Sequence, residues 1–584
     1  MGQGIYMRDS ELNIRMIVAG GIFIVVASLA AYFPAMNGEY IWDDDYYVEV
    51  NSLLNSPHGL WDIWAGKNIP SQYVPLVYTT LRFEYSLWGL KPLGYHLVNI
   101  SLHIFNALLI WLLLSRLKIR GAWFISAIFV LHPVHVESVA WITELKNVLS
   151  LFFVLLSAAA YFQYIYGSGK ETTGVRPWMY YLLSLFLFLC ALASKAVVCF
   201  LPVLILIILW WKNGRIVLKN IRDLSLFFVL GLAFGLFVMW WENHHIGTGN
   251  VELGLTPVKR ILIASHALWF YIGKLFYPVN LTFSYPKWHI EPTNPLHYVW
   301  LFLCLAAFLG IWRWRKKLGR GFIAAITFFV VALSPMLGFF SLYTFIYTYV
   351  ADHYQYVASI GIIALVVSTG YIAVNRFGRY AKGVSIVTVF LILSTLGILT
   401  WRQCYIYKDT EALWLDTIHK NPDSLMAHIN LGTFYGQQGR FDEAIRENNK
   451  ALQIRPDYAK AYNNLGMVFE RKGDIDKAMS YYQRTLLIMP ENVSAHNNLG
   501  NVFQSKGDFK QAMYHYSEAI RIRPGYAVAH YNFGHLLAKR GMLKEAIWEF
   551  TKALEINPNL VQAKTALAEA QSKMKFIDAG IKTK

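Results

Sequence analysis

The chain has 584 residues, 56% of them hydrophobic, 16% aromatic and only 15% charged. A mean hydropathy of +0.36 is too high for a soluble protein of this length. The formal net charge of +17 reads as membrane topology and attraction to anionic headgroups, not as nucleic-acid affinity, because basic residues gather in short loops between apolar runs.

Apolar runs of roughly 20 residues, the length that crosses a bilayer, recur as far as Trp401. Spans are expected at Ile14–Phe33, Leu97–Leu114, Ala122–Val139, Val148–Tyr166, Trp178–Ala193, Val197–Trp211, Leu224–Trp241, Tyr298–Trp312, Phe322–Ser341, Val357–Val374 and Val384–Trp401, about eleven in all. The first is too long for a cleaved signal, and no convincing small-residue cleavage site stands near Pro34. Basic loops at Arg116/Lys118/Arg120, Lys212/Arg215/Lys219/Arg222, Arg313/Arg315/Lys316/Lys317/Arg320 and Arg376/Arg379/Lys382 are expected inside, with Arg8 and Arg15 at a cytoplasmic N-terminus. The loops Gly38–Asp62 and His132–Lys146 then face outside, and an odd number of spans puts the C-terminal third outside too. Pro257–Phe276 is apolar enough to span, but the topology leaves it no crossing. It also carries Lys259, Arg260 and Lys274, so it is expected to be an interfacial or re-entrant helix. Cys190, Cys199 and Cys304 lie in apolar spans and Cys404 just beyond one, which implies no disulfide framework.

Three groups in this region carry chemistry. The first is Tyr40-Ile41-Trp42-Asp43-Asp44-Asp45-Tyr46-Tyr47, directly after the first span. Adjacent carboxylates among rings at a membrane surface repel one another and lose water, which raises at least one pKa. That suits a general base or a metal-binding pair; the plainer reading is an acidic external loop. The second is His132-Pro133-Val134-His135-Val136-Glu137-Ser138. Here a proline breaks an apolar helix, and two histidines and a glutamate cluster at membrane depth. An active-site wall, a structural polar network and a metal site all fit, with Glu137 placed to orient one of the histidines. The third is basic: Lys146, Lys195 between two apolar runs, and His353 within Asp352-His353-Tyr354. Cations there suit a phosphate headgroup, and simple snorkelling is the alternative.

Beyond Trp401 the pattern changes. Prolines stand at Pro422, Pro456, Pro490, Pro524 and Pro558, a step of 34 (456 − 422 = 34), and Gly432, Gly466, Gly500 and Gly534 keep the same step. This is the signature of tetratricopeptide (TPR) helix pairs, which stack because no unit buries its apolar face alone. The domain reading is therefore 1–401 membrane domain, 402–424 connector with a half unit at Asp409–Lys420, 425–558 four TPR units, and 559–584 capping helix and tail, the helix at Val561–Lys573. Asn430, Asn464, Asn498 and Asn532 repeat on the first helix of each unit. Their amides can bond the backbone of an extended peptide of any sequence.

Taken together, Trp42-Asp43-Asp44-Asp45, the His132–Trp141 run, Ala351-Asp352-His353-Tyr354 and the repeat array resemble the TPR-containing protein O-mannosyltransferases and their bacterial relatives, glycosyltransferases of the GT-C type. The resemblance implies an all-α fold, a polytopic GT-C-type membrane domain followed by a TPR solenoid. It implies a polyprenyl-phosphate-linked sugar donor, a protein acceptor, inversion at the sugar and an extracytoplasmic site, here expected at the bacterial inner membrane. On this sequence the catalytic motif maps to Asp43 and Asp44, with Asp45 as an extra carboxylate. Lys146, Lys195 and His353 would meet the donor phosphate. Asp45, His132, His135, Glu137 and Tyr354 would wall the site, and the asparagine ladder would hold the acceptor. Relatives commonly carry Arg where His353 stands and an acidic residue where Ala196 stands. No cofactor is required, and a divalent metal could sit at the acidic cluster without being implied. Two other classes fit the outline: a membrane-anchored TPR scaffold and a lipid-linked-sugar transporter.

Overall fold

The computed structural model describes residues 14–167, 176–246, 254–339 and 343–578, so Arg8 and Ser341 lie outside the described residues. No strand occurs among the described residues, and the chain is all-α as expected. It divides into two compact units, Met1–Asn421 and Pro422–Lys584.

The first unit is built from α1 (Ile14–Ala31), α2 (Gly59–Trp64), α3 (Pro75–Trp88), α4 (Pro92–Arg116), α5 (Ala122–Leu131), α6 (Val136–Ala140), α7 (Leu145–Tyr166), α8 (Pro177–Ser194), α9 (Leu201–Asn213), α10 (Leu218–Trp241), α11 (Pro257–Phe276), α12 (Val299–Leu333), α13 (Ser359–Val374), α14 (Ala381–Cys404) and α15 (Thr410–Lys420). Many large apolar side chains on these helices point outward, among them Leu232, Phe302, Phe308 and Phe390. In water such a surface would aggregate; in lipid it is the ordinary exterior. The chain is an integral membrane protein.

Among the described residues, eight helices are long and apolar enough to cross a membrane, or nine if a bent pair is one span. The sequence expectation was about eleven. The difference comes from two places where separate spans were expected and the helical stretch runs on. Pro295–Met336 contains both Tyr298–Trp312 and most of Phe322–Ser341. It is broken at Gly319, whose φ of 79° no ordinary residue adopts cheaply. Ser359–Tyr407 likewise contains the last two expected spans, with a break at Gly378. The bent pair is Ala122–Leu131 with Pro133–Ala140, turned through 56°. The bend has a local cause. His132 precedes a proline and is extended (φ −80°, ψ 124°), as residues before proline must be.

α4 carries a polar stripe at His96, Asn99, His103 and Asn106, all buried. The spacing puts all four on one face. Each reaches a neighbouring backbone where a helix is broken or ends. His96 Nε2 meets Gly38 O at 3.2 Å. Asn99 Nδ2 donates to Trp141 O and Ile142 O at 3.2 and 3.3 Å. His103 Nε2 meets Val130 O at 3.2 Å, and Asn106 Nδ2 donates to Val148 O at 2.8 Å. Gly38, Val130, Trp141, Ile142 and Val148 lie at helix ends or in the links between helices, and in a membrane interior no water can supply such a bond. α4 is therefore the post to which the broken segments are tied.

The second unit repeats one design. α16 (Leu425–Gln437) pairs with α17 (Phe441–Ile454), α18 (Ala459–Arg471) with α19 (Ile475–Ile488), α20 (Val493–Ser505) with α21 (Phe509–Ile522), and α22 (Ala527–Lys539) with α23 (Leu543–Ile556); α24 (Val561–Asp578) follows. The periodic glycines have a steric reason. A Cβ on Gly466 would stand 2.4 Å from the Tyr482 ring. Only a missing side chain lets α18 and α19 approach this closely. Gly473 (φ 85°) makes the left-handed turn between them.

Candidate active site

The site gathers on three interruptions of the membrane helices: the loop after α1, the α6–α7 junction and the α8–α9 junction. A fourth segment, 352–355, closes it.

Trp42 sets the first loop. Its φ is 48°, a left-handed conformation rare for a bulky side chain. The strain persists because the indole is held on three sides. It stacks on Trp141 at 5.3 Å and meets Phe283 and Trp414 edge-on at 5.1 and 6.1 Å. The turn sends the next two carboxylates in different directions. Asp44 goes inward and is fully buried. Its Oδ2 accepts from Ile41 N at 3.0 Å, and its Oδ1 accepts from Thr143 N at 2.8 Å and from the Thr143 hydroxyl. Asp44 thus staples the first loop to the α6–α7 junction. Burial, and then the neighbouring Asp43 charge, push its carboxyl up to about 8 against the pull of those donors. Asp43 keeps one oxygen, Oδ1, buried and without a hydrogen-bond partner. Burial raises it to about 6, the Lys146 charge holds it down, and the Glu144 charge raises it. Asp43, raised to about 6, is ionised at neutral pH and keeps an open lone pair, whereas the lone pairs of Asp44 are taken by Ile41 and Thr143. Asp45 points to solvent and opens a wide helical turn through Glu49.

The cations come next. Glu144, fully buried, lies 3.0 Å from Lys146 Nζ and 3.7 Å from Lys195 Nζ. Lys146 also sits over the Trp141 ring at 5.4 Å and the Tyr47 ring at 5.7 Å. Lys195 is extended at the α8 terminus and donates to Asn147 Oδ1 at 2.5 Å. Asn147 Nδ2 in turn donates to Ser138 Oγ at 3.1 Å and His353 O at 3.2 Å. Lys146 and Lys195 thus share Glu144, with Asp43 close enough to act on the first and Glu137 on the second.

His353 is fixed by Glu137, which accepts from its backbone N at 3.0 Å and pairs with its Nδ1 at 2.9 Å. Glu137 therefore orients His353, and neither of the histidines in its own run. Tyr354 packs against His353, with its hydroxyl 2.7 Å from Thr344 Oγ1. Asp352 accepts from Tyr285 through both oxygens at 3.1 and 3.0 Å. Burial, then Glu137, holds its carboxyl well above the usual range.

The sequence-derived residues thus separate into groups. Asp43, Asp44, Lys146, Lys195, Glu137, His353 and Tyr354 join one continuous network, with Asp45 on its outer edge. His132 and His135 turn away from it. His132 Nε2 meets Leu275 O at 3.0 Å. His135 meets Phe129 O at 2.7 Å and Ser359 Oγ at 3.0 Å, so both its ring nitrogens are engaged. Among the described residues no group of three or more His, Cys, Asp or Glu is arranged to hold a metal ion. Glu144, Thr143, Asn147 and the α4 stripe escaped the sequence reading. The stripe has a readable signal, polar residues at three- and four-residue steps inside an apolar helix. Glu144 has a weaker one, a lone carboxylate two residues before Lys146.

In the second unit the asparagines lie one per unit on the first helices. Asn464 Nδ2 donates to Thr433 Oγ1 at 2.9 Å. Asn498 and Asn532 donate to Asn463 and Asn497 of the preceding unit at 3.5 and 2.9 Å. Asn430 is half-buried on α16. The ladder is thus two interleaved rows of amides.

The two units together describe a membrane protein with an acidic-and-basic site among broken helices, followed by a repeat array. Comparison with known proteins agrees with both parts. The tetratricopeptide-repeat family matches residues 423–491, 457–525 and 527–560. Over most of its length the chain is 26% identical over 490 residues to the human Protein O-mannosyl-transferase TMTC1, covering 73% of this chain and 54% of that one. It is 23% identical over 458 residues to the Caenorhabditis elegans Protein O-mannosyl-transferase F38B6.6, covering 74% and 62%. Its homologues are TPR-containing protein O-mannosyl-transferases, and the chain spans somewhat over half the length of these relatives. Among solved structures, the array is similar to YrrB, a TPR protein with an unusual peptide-binding site (23% identity, 28% of this chain, 84% of that chain, TM-score 0.24).

Proposed function

We propose that this protein is an inverting GT-C-type glycosyltransferase. It moves a sugar from a polyprenyl-phosphate donor to a hydroxyl of a protein acceptor, on the extracytoplasmic side of the membrane. The observation that carries the reading is Asp43 Oδ1, a buried carboxylate oxygen with no hydrogen-bond partner, in the same network as the doubly charged Lys146–Lys195 pair. A base and a cationic centre are the two groups that glycosyl transfer from a lipid phosphate needs.

Asp43 takes the proton from the acceptor hydroxyl. The hydroxyl oxygen forms a bond to the anomeric carbon as the bond to the phosphate oxygen breaks. The phosphate leaves with the electron pair, and Lys195, Lys146 and His353 take up its charge. A single displacement inverts the anomeric centre. Asp44, with its lone pairs spent on Ile41 and Thr143, holds the loop and leaves the chemistry to Asp43. The names of the homologues support a mannose donor as the first to test, and the repeat array supports capture of an extended peptide acceptor along its asparagines.

The test is transfer by purified, membrane-reconstituted protein. Asp43→Asn is expected to insert and fold normally and to lose transfer by about 10²-fold or more, the range for a lost general base. Asp44→Asn is expected to lose both transfer and thermal stability, because an amide presents a donor to Thr143. Parental transfer by Asp43→Asn would remove the base from this reading.

A further inference from the structure

An apolar cavity of about 450 Å³ lies in the membrane unit away from the candidate active site. It opens among α4, α9, α12 and α13. Its walls are apolar, including Leu114, Ile207, Phe322, Phe328 and Ile360, and Lys118 and Arg120 stand at its mouth. No carboxylate is among its lining residues. Asn99 on α4 contacts the active-site junction, and Leu114 lines this cavity. Fifteen residues of helix at about 1.5 Å each separate the two by roughly 23 Å, most of the thickness of a bilayer core.

The mouth is built from positive charge held close together. Lys212 reaches across from α9 to donate to Leu117 O. Arg120 lies 6.0 Å from the Tyr371 ring centre, and its carbonyl accepts from Ser368 Oγ at 3.4 Å. Arg320, at the break in α12, packs against the Gly214 turn. The turn carrying Lys118 has a left-handed φ of 54° at a non-glycine residue, a conformation that local packing must enforce. Topology alone asks only for basic residues near the interface. It does not ask for an apolar cavity beneath them, nor for like charges gathered from three helices.

We propose that this cavity is a specific site for a two-chain anionic phospholipid. The phosphodiester headgroup sits between Lys118 and Arg120, and one acyl chain fills the cavity between Leu114 and Phe328. Basic pockets between membrane helices take anionic headgroups by charge. The cavity supplies what a bare basic loop lacks, a place for the tail. The lipid would bridge α4, α9, α12 and α13 and set their spacing on the side of the membrane away from the reaction.

The test uses the intact protein in detergent, stripped of lipid and offered an equimolar mixture of phosphatidylglycerol and phosphatidylcholine, with bound lipid read by native mass spectrometry. One phosphatidylglycerol per chain is expected, retained about thirtyfold over phosphatidylcholine, as two interfacial cations would give. Lys118→Glu/Arg120→Glu is expected to abolish the preference. Ala325→Phe, which fills the cavity without touching charge, is expected to cut retention while the protein remains monodisperse. Arg376→Glu, a basic residue outside the lining, serves as the control and is expected to keep the wild-type ratio. Equal retention of both lipids by the parent protein would overturn the proposal, as would an unchanged ratio in Lys118→Glu/Arg120→Glu. So would full competition by tail-free glycerophosphoglycerol, which would show a headgroup contact that needs no cavity.

Discussion

At the scale of single residues, the division between Asp43 and Asp44 decides the chemistry. Asp44 is buried and Asp43 half-buried in one loop, yet the first has spent its lone pairs on Ile41 and Thr143 and the buried oxygen of the second has not. The run of three aspartates was legible in the sequence as a cluster that must shift pKa values. Which member would stay ionised was not, because that depends on Thr143, about a hundred residues away in the chain. The pH dependence follows. Asp43 must be ionised to accept a proton, and its carboxyl sits at about 6. kcat/KM is therefore expected to be level above that value and to fall about tenfold per pH unit below it. The stability sign is opposite. A carboxyl raised above its unfolded value favours the native state at low pH, and that contribution is lost as pH rises through about 6. Thermal scans of Asp43→Asn against the parent should thus show the variant gaining relative stability between pH 4 and 7. A rate profile level down to pH 4 would contradict the assignment of Asp43.

At the scale of elements, the site is a product of helix breaks. Pro133 bends the α5–α6 pair, Lys195 sits in the extended link between two helices, and Trp42 reverses the chain after α1. Breaks were visible in the sequence as prolines and polar residues interrupting apolar runs. What was not visible is the support for them: the four polar residues of α4 stand out in an apolar helix, but their partners do not. Asn99→Leu tests this support. It removes the side-chain donor to Trp141 O and Ile142 O, which keep their backbone partners Glu144 N and Leu145 N, so the expected cost is that of the lost hydrogen bonds, about 0.5–1.5 kcal/mol each. The expected outcome is a lowered melting temperature together with a transfer rate reduced beyond that of Gly466→Ala. The latter substitution clashes with Tyr482 and destabilises the second unit alone. Equal effects of the two on transfer to a short peptide would show that α4 does not position the site.

At the scale of the whole molecule, the two units are expected to separate by function. The 34-residue step made the array legible without any structure, because every unit solves the same packing problem with the same glycines. The boundary was harder to read. The sequence reads α15 as a half unit within the connector, and Trp414 of that helix is fully buried against Trp42 and Phe283 in the first unit. Aromatic packing across several hundred residues leaves no periodic trace. Two truncations distinguish the roles. Removing residues 422–584 is expected to spare transfer to a short peptide at high concentration and to lower transfer to a full protein acceptor, since linked capture raises effective concentration by roughly 10²–10⁴. Removing residues 409–584 also takes Trp414 from the Trp42 box and is expected to abolish both.

The most direct measurement is of the product itself. Intact protein, reconstituted with polyprenyl-phosphate mannose and a peptide bearing serine and threonine, should yield a glycopeptide heavier by one hexose. Its anomeric configuration, read by NMR, should be opposite to that of the donor. A product with the donor configuration retained would contradict single displacement by an Asp43-activated hydroxyl. Absence of transfer from every polyprenyl-phosphate sugar offered, by protein that is folded and monodisperse, would contradict the transferase reading altogether.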